Sequence, residues 1–511
     1  MKAGWAVLIA LLLALLGAAL FREPRAPESG DEPTYALQAA SLAWDLDLRY
    51  SDEDFARYRA LWGARPPGID LESRDGGNTQ VYGRPFFHAL VAAPFVRTMP
   101  QRGLWVANAV LLAAAALLAA WALQRPLWAA VFVFASVTFL YVFQATADVF
   151  LLAVTAAGFA LIYAGQQEGV LPSMYQGGQS AGDFGRWLAA GALLAIPGTY
   201  RLLYLFLLLP ALAVRKTRAA WAGLLTGAAG ALALAYVVHA RAGGDPLLIP
   251  SLSFEADPRL FAWNAVYFLA GRNVGILPYF LPVLLALVAA RSDRRALGLG
   301  VALAAVGFLA AHPYDFAGFG GGVGNRHFLP LYAALWFLAA KPVRSAWAVV
   351  VALLAVPFLL PLPSLAERVQ GWLPYEATQR ELPGAWVKQG RLRIKPTSPT
   401  VWRAPRGGDF RVAGGETGEL VIASPGPLES VDLEFDRNAP TRLQAQGAEV
   451  RPTRLGADGS VTFPLSPAQL GSGRVHPMWW TGGSHHLYTL RFHLPGAPFK
   501  PIAFKVIQRG P

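Results

Sequence analysis

Long apolar runs separated by short polar breaks dominate the first 360 residues. The first run, residues 3 to 21 (AGWAVLIALLLALLGAALF), follows Lys2 and supplies about the ~20 apolar residues that a bilayer-crossing helix needs. Its core is longer than that of a typical secretory signal, and the REPRAPES that follows offers no clean small-residue cleavage site, so the pattern predicts a retained helix. Residues 22 to 102 are then polar and slightly acidic. Further apolar runs follow at about 103–123, 127–144, 148–164, 185–199, 201–214, 219–239, 275–290, 296–311, 328–340 and 345–362. Together they predict about eleven membrane-crossing helices, the weakest pair being 185–214, where Pro197 and Gly198 break the run and leave a re-entrant hairpin open.

After PFLLPLP (357–363) the period changes. Short alternating runs at 418–425, 430–436, 460–465 and 487–494 are separated by turn residues, the signature of an all-β sandwich or jelly roll. The expected organisation is a helical membrane domain over 1–364, with 22–102 as an external loop bearing interfacial helices, and an extracytoplasmic β-sandwich over 365–511.

Charge orients this scheme. The chain of 511 residues is 54% hydrophobic and 15% charged, with a formal net charge of +12. In a soluble protein such basicity would suggest nucleic acid, but here the basic clusters RKTR (215–218), RSDRR (291–295) and KPVR (341–344) each separate two apolar runs. With the N-terminus inside, all three fall on the cytoplasmic side, as the positive-inside rule requires. A bacterial inner membrane is the expected location, with no nucleic-acid partner. No cysteine is present, so thiolate metal sites and disulfides are excluded, and any metal would need carboxylate or imidazole ligands.

The same topology gathers the chemistry-bearing residues on the external face. In GDEPTYALQAASLAW (30–44), Asp31 and Glu32 precede Pro33; an acidic residue there suits a helix cap, which accounts for one carboxylate more readily than for two. Tyr35 and Leu37 begin a mixed apolar surface fit for the membrane interface. VYGRPFFHALVAAPF (81–95) presents Arg84, Pro85 and His88, and Arg84 reads either as an anion ligand or as an interfacial side chain reaching for water. Asp148 begins the apolar run of FQATADVFLLAV (143–154), and NRHFLP (325–330) places Arg326 and His327 at the head of a late span. Arg201 and Arg272 are further basic candidates on this face. His485 and His486 are adjacent in a strand pattern and so point to opposite faces, which argues against a shared metal.

This order of motifs resembles the GT-C superfamily of integral membrane glycosyltransferases, which includes protein O-mannosyltransferases and lipid A aminoarabinose transferases. The resemblance covers most of residues 1–345 and implies a GT-C fold and a polyprenyl-phosphate-linked sugar donor. It implies that Asp31 is the general base with Glu32 its neighbour or substitute, and that Asp148 is a second acidic site residue. Arg84, Arg326, Arg272 and Arg201 then bind the donor phosphate, and Tyr35, His88 and His327 contact substrate. A divalent cation, magnesium or manganese, held by Asp31 and Asp148 is an option rather than a requirement. The acceptor is a lipid, glycan or protein, and membrane lipids surround the helices. The competing expectations are a transporter or flippase of lipid-linked sugars with an external glycan-binding domain, and a non-catalytic scaffold.

Overall fold

A computed structural model describes residues 2–27, 31–63, 65–66, 69–72, 79–164, 179–214, 217–244, 258–271, 274–290, 294–312, 324–338, 345–359, 386–397, 401–403, 410–412, 417–436, 442–457, 459–471, 473–478, 483–495 and 502–508. Arg272, most of the glycine-rich segment before Asn325, and most of the three basic loops lie outside the described residues.

The helices run in order α1 (Lys2–Phe21), α2 (Glu32–Trp44), α3 (Asp52–Trp62), α4 (Phe87–Thr98), α5 (Gly103–Leu123), α6 (Pro126–Phe134), α7 (Asp148–Ala164) and α8 (Gln179–Tyr200). They continue as α9 (Leu208–Val214), α10 (Arg218–Ala242), α11 (Pro258–Ala270), α12 (Ile276–Tyr279), α13 (Pro282–Val288), α14 (Arg295–Ala311), α15 (Leu329–Trp336) and α16 (Ser345–Leu359). Among the described residues α1, α5 and α10 are long and apolar enough to cross a membrane, and α6 with the 3₁₀ turn Val137–Phe143 makes a fourth if that pair, bent by 66°, is one crossing. Leu13 of α1, Leu225 of α10, Leu303 of α14 and Leu353 and Leu354 of α16 stand exposed, where a bilayer would cover them. The helical part is that of a multi-pass membrane protein.

Several expected spans arrive as shorter or broken pieces. The 127–144 run bends where Ser136 turns inward: its Oγ donates to Phe132 O at 2.7 Å and accepts from Thr138 N at 3.3 Å, restarting the chain as a 3₁₀ turn. The 275–290 run is split into α12 and α13 just before Pro282, which lacks an amide hydrogen and starts a helix more readily than it continues one. Conversely, α8 runs through Pro197 to Tyr200 and breaks at the extended Arg201, so the interruption expected at Pro197–Gly198 lies a few residues later. Between α1 and α5 lie the helices α2 to α4 and a two-stranded antiparallel ribbon of β1 (Leu71–Glu72) and β2 (Val81–Tyr82), with Leu71 opposite Tyr82.

The most extensive helix pair is α8 with α10, and it packs through missing side chains. A Cβ on Gly223 would stand 2.6 Å from Phe184 O, and one on Gly227 would overlap Leu188 O outright. Helices in lipid gain little from apolar burial against each other and depend on such close approach. Gly227→Ala is therefore expected to cost about 1–3 kcal/mol through overpacking, read as a fall of several degrees in the melting temperature of the detergent-solubilised protein. An unchanged melting temperature would mean that these backbones do not touch.

The C-terminal region has its own core. One sheet orders its strands β10 (Ala448–Val450), β9 (Leu443–Ala445), β14 (Gly483–His493), β7 (Thr417–Ser424), β4 (Leu392–Pro396) and β3 (Val387–Gln389), with β13 (Arg474–Met478) also on β14. The other orders β11 (Arg454–Leu455), β12 (Val461–Leu465), β8 (Val431–Phe435), β15 (Ile502–Gln508), β6 (Phe410–Val412) and β5 (Val401–Arg403). Alternation puts Leu420 and Ile422 of the first sheet against Leu433, Phe435 and Phe504 of the second in one buried cluster, a sandwich as the period-two pattern predicts. Phe435 and Phe504 meet at 5.2 Å between ring centres, and Phe492 closes on Phe504 at 5.6 Å.

Candidate active site

Pro33 sits in the first turn of α2, so its missing amide hydrogen costs nothing there, and Asp31 occupies the capping position. The Asp31 side chain makes no capping hydrogen bond. Instead it reaches across to two guanidinium groups from distant parts of the chain. Arg84, two residues beyond β2, donates from Nη2 to Asp31 Oδ1 at 2.5 Å, and Arg326, in the 3₁₀ turn before α15, donates from Nη2 to Asp31 Oδ2 at 3.0 Å. The side chain thus pairs with the two arginines rather than capping its own helix.

The pairing extends on both sides. The Nε of Arg326 lies 3.2 and 3.1 Å from the two oxygens of Asp148, which opens α7 and is steered by the hydroxyl of Thr146 at 2.6 Å. At the other end the same Arg84 nitrogen lies 3.2 Å from Asp70 Oδ2. Five side chains therefore alternate in sign: Asp70, Arg84, Asp31, Arg326, Asp148. Exposure peaks inside the row, at 22% for Arg84 and 20% for Asp31, against 14% for Asp70 at one end and 7% for Asp148 at the other. The row is most open at Arg84 and most enclosed at Asp148.

Burial alone would raise the Asp31 carboxyl, but the positive charges of Arg84, Arg326 and Arg201 outweigh it and hold the group below the ordinary carboxylate range. Asp70 is moved the other way: burial raises it, Arg84 only partly compensates, and the negative charge of Asp31 adds to the rise. Two carboxylates that share one guanidinium are thereby driven apart in acidity, the pattern that separates acid and base roles in a site.

The other expected residues have distinct places. Tyr35 is buried one turn beyond Asp31 and meets His88 edge to face at 5.4 Å. His88 is wholly buried, its Nε2 3.2 Å from Asn108 Oδ1, and burial lowers its pKa to about 4, so the ring is neutral at physiological pH. The carbonyl of Arg84 accepts from Gln38 Nε2 at 2.7 Å, which fixes the backbone behind its guanidinium. His327 stacks on Phe308 with ring centres 5.1 Å apart, and its carbonyl accepts from the hydroxyl of Tyr204 at 2.8 Å. Gly324 adopts φ +82°, a left-handed turn that suits glycine and leads into Asn325, whose side chain accepts from Phe328 N at 3.1 Å. Arg326 is thus aimed by a capped turn.

Glu32 is not brought to the arginines. Its Oε1 accepts from the backbone amide of Ala145 at 3.0 Å and from Arg25 Nη2 at 3.2 Å. Asp70 is the member that sequence reasoning missed. The antiparallel ribbon carries a signal for it: extending the pairing of Leu71 with Tyr82 by one step sets Asp70 opposite Gly83, beside Arg84, and Gly83 N donates to Asp70 O at 2.9 Å.

Among the described residues no group of three or more His, Asp or Glu side chains is placed to hold a metal ion. Asp31 and Asp148 face one guanidinium between them, so in this arrangement they do not fit a shared divalent cation. What the row can do is bind an anion: the Nε of Arg84 is buried with no hydrogen-bond partner among the described residues, and an unmatched guanidinium donor is costly unless a ligand takes it.

No protein-family model matches the chain, and no curated protein matches it. Among solved structures it is similar to ArnT from Cupriavidus metallidurans bound to undecaprenyl phosphate, at 18% identity over 75% of this chain and 69% of that one, with a TM-score of 0.46. At that overlap the two structures correspond loosely.

Proposed function

We propose that this protein is a membrane glycosyltransferase that moves a sugar from a polyprenyl-phosphate donor to an acceptor hydroxyl on the extracytoplasmic face, with inversion at the anomeric carbon. The observation that carries the reading is the doubly paired Asp31. A carboxylate flanked by two arginines, one of which keeps a buried unmatched N–H, is a site where an arriving phosphate can exchange for the carboxylate.

The chemistry follows from that exchange. The donor phosphate takes up donors of Arg84 and Arg326, whose planar forks suit its oxygens, with Arg201 adding positive charge from the end of α8. Asp31, relieved of its counter-charges, becomes a stronger base as its partners leave it. It then takes the proton from the acceptor hydroxyl while the oxygen attacks the anomeric carbon. The carbon–oxygen bond to phosphate breaks, and the pair of electrons leaves with the polyprenyl phosphate, which the arginines hold. Asp148 keeps Arg326 oriented from the enclosed side. Tyr35 and His88 form the wall beside which the sugar is proposed to lie, with His327 following Arg326 in the same turn. The row is built from loop segments and helix ends rather than from the middles of apolar helices, which supports transfer over transport.

In this reading the lipid tail stays in the bilayer, the β-sandwich is extracytoplasmic, and the membrane is the bacterial inner membrane with the N-terminus cytoplasmic. The test is incubation of membranes containing the wild-type protein with a panel of polyprenyl-phosphate sugars bearing radiolabel, followed by extraction of labelled acceptors. Label in a lipid, glycan or protein fraction, absent from membranes without the protein, is the expected result. No transfer from any donor would overturn the reading.

A further inference from the structure

Asp70 has no part in the exchange just described, yet it touches the residue that exchange depends on. Its carboxylate lies 3.2 Å from Arg84 Nη2, the same nitrogen that lies 2.5 Å from Asp31. The local backbone is built to hold it there. The amide of Asp70 donates to Thr34 Oγ1 at 2.9 Å, tying the ribbon to the first turn of α2. On the facing strand Gly83 leaves space for the carboxylate: a Cβ at that position would stand 3.1 Å from the Asp70 carboxyl carbon, close enough to force it to move.

We propose that Asp70 is a positioning residue that divides the charge of Arg84 with Asp31 and so sets how firmly Arg84 holds the base. The proposal rests on the transferase reading for its catalytic consequence, but not for the sharing itself. One guanidinium nitrogen bridging two carboxylates binds each less strongly than it would bind one alone. When the donor phosphate draws Arg84 away from Asp31, Asp70 remains as an anchor, so the arginine shifts its partner without leaving the site. The cations acting on Asp31 are Arg84, Arg326 and Arg201, and the carboxylates of Asp70 and Asp148 flank it in the row across Arg84 and Arg326; the charged groups acting on Asp70 are Arg84, Asp31, Glu72 and Arg411.

The sign of the effect is fixed. In Asp70→Asn, Arg84 gives its whole charge to Asp31 and one nearby negative charge is gone, so both changes make Asp31 harder to protonate. The first readout needs no turnover: the infrared carboxyl stretch of Asp31, identified by its loss in Asp31→Asn, is followed against pH. Its midpoint is expected about one unit lower in Asp70→Asn than in wild type. The second readout is the pH–rate profile with whichever donor serves the wild type. Its acid limb is expected to move down by a similar amount, with kcat reduced about tenfold as the base weakens and the donor KM raised. Asp70→Glu should recover part of each change.

Gly83→Ala, which leaves every charge in place and only displaces the Asp70 carboxylate, provides a second variant and should move the infrared midpoint in the same direction. An infrared midpoint that stays at the wild-type value in both variants would overturn the proposal, as would a loss of rate with no shift of the acid limb. Absence of transfer by the wild type would defeat the transferase reading alone, since the infrared titration would still report whether the arginine is shared.

Discussion

Asp31→Asn is expected to abolish transfer while leaving donor binding no weaker than in the wild type. The amide cannot accept the acceptor proton, and loss of a positioned general base costs about 10²–10⁴-fold. The amide also carries no negative charge, so Arg84 and Arg326, which the carboxylate holds at 2.5 and 3.0 Å, are released for the phosphate. A structural carboxylate would give a different pattern, because its removal would damage binding and turnover together. Measuring donor affinity and single-turnover transfer in the same detergent preparation separates the two. Retention of a tenth or more of the wild-type rate would remove Asp31 from the chemistry.

The second large effect is expected at Arg326. This guanidinium is the only link in the row that touches both Asp31 and Asp148, and its side chain is 10% exposed. Arg326→Ala leaves two largely enclosed carboxylates facing one another without the charge between them, a change that costs about 3–5 kcal/mol when one partner of a buried ion pair is removed. The melting temperature should fall and transfer should be lost. Arg326→Lys restores the charge but not the fork, and a single ammonium cannot meet Asp31 and Asp148 from two separate nitrogens. It is expected to recover most of the stability and little of the activity. Recovery of full activity with lysine would mean that charge alone suffices and that the two-ended geometry has no catalytic weight.

Much of this site was legible in the residues themselves because each member announces itself locally. Asp31 and Asp148 stand at the beginnings of helices, and Arg326 precedes Leu329–Trp336; a charge at the border of an apolar run is visible in any reading of periodicity. The sandwich was legible for the same reason, with observed strands Thr417–Ser424 and Val431–Phe435 within a residue of the alternating runs. Two things were not. Whether Asp31 caps its own helix or faces Arg84 depends on a partner 53 residues away, and both outcomes satisfy the local rules. Asp70 lies in a polar stretch with no periodicity, and its role depends on the register of a ribbon two residues long on each side. The broken spans were hidden in another way: apolar composition does not reveal where a side chain such as Ser136 will bond back to its own helix and turn the chain.

The neighbouring carboxylates that open α2 take different partners at the start of α7, and this has a mechanical consequence. Asp31 grips the arginine that grips Asp148, while Glu32 grips the amide of Ala145, three residues ahead of Asp148. The start of α2 and the start of α7 are therefore joined by two parallel ties, one of charges and one to the backbone. A single tie would allow the two helix ends to pivot about it; two ties fix their orientation as well as their distance. Any displacement of α2 would carry Asp148 with it and, through Gln38 on the Arg84 carbonyl and Thr34 on the Asp70 amide, the ribbon as well, so the whole row would travel as one frame.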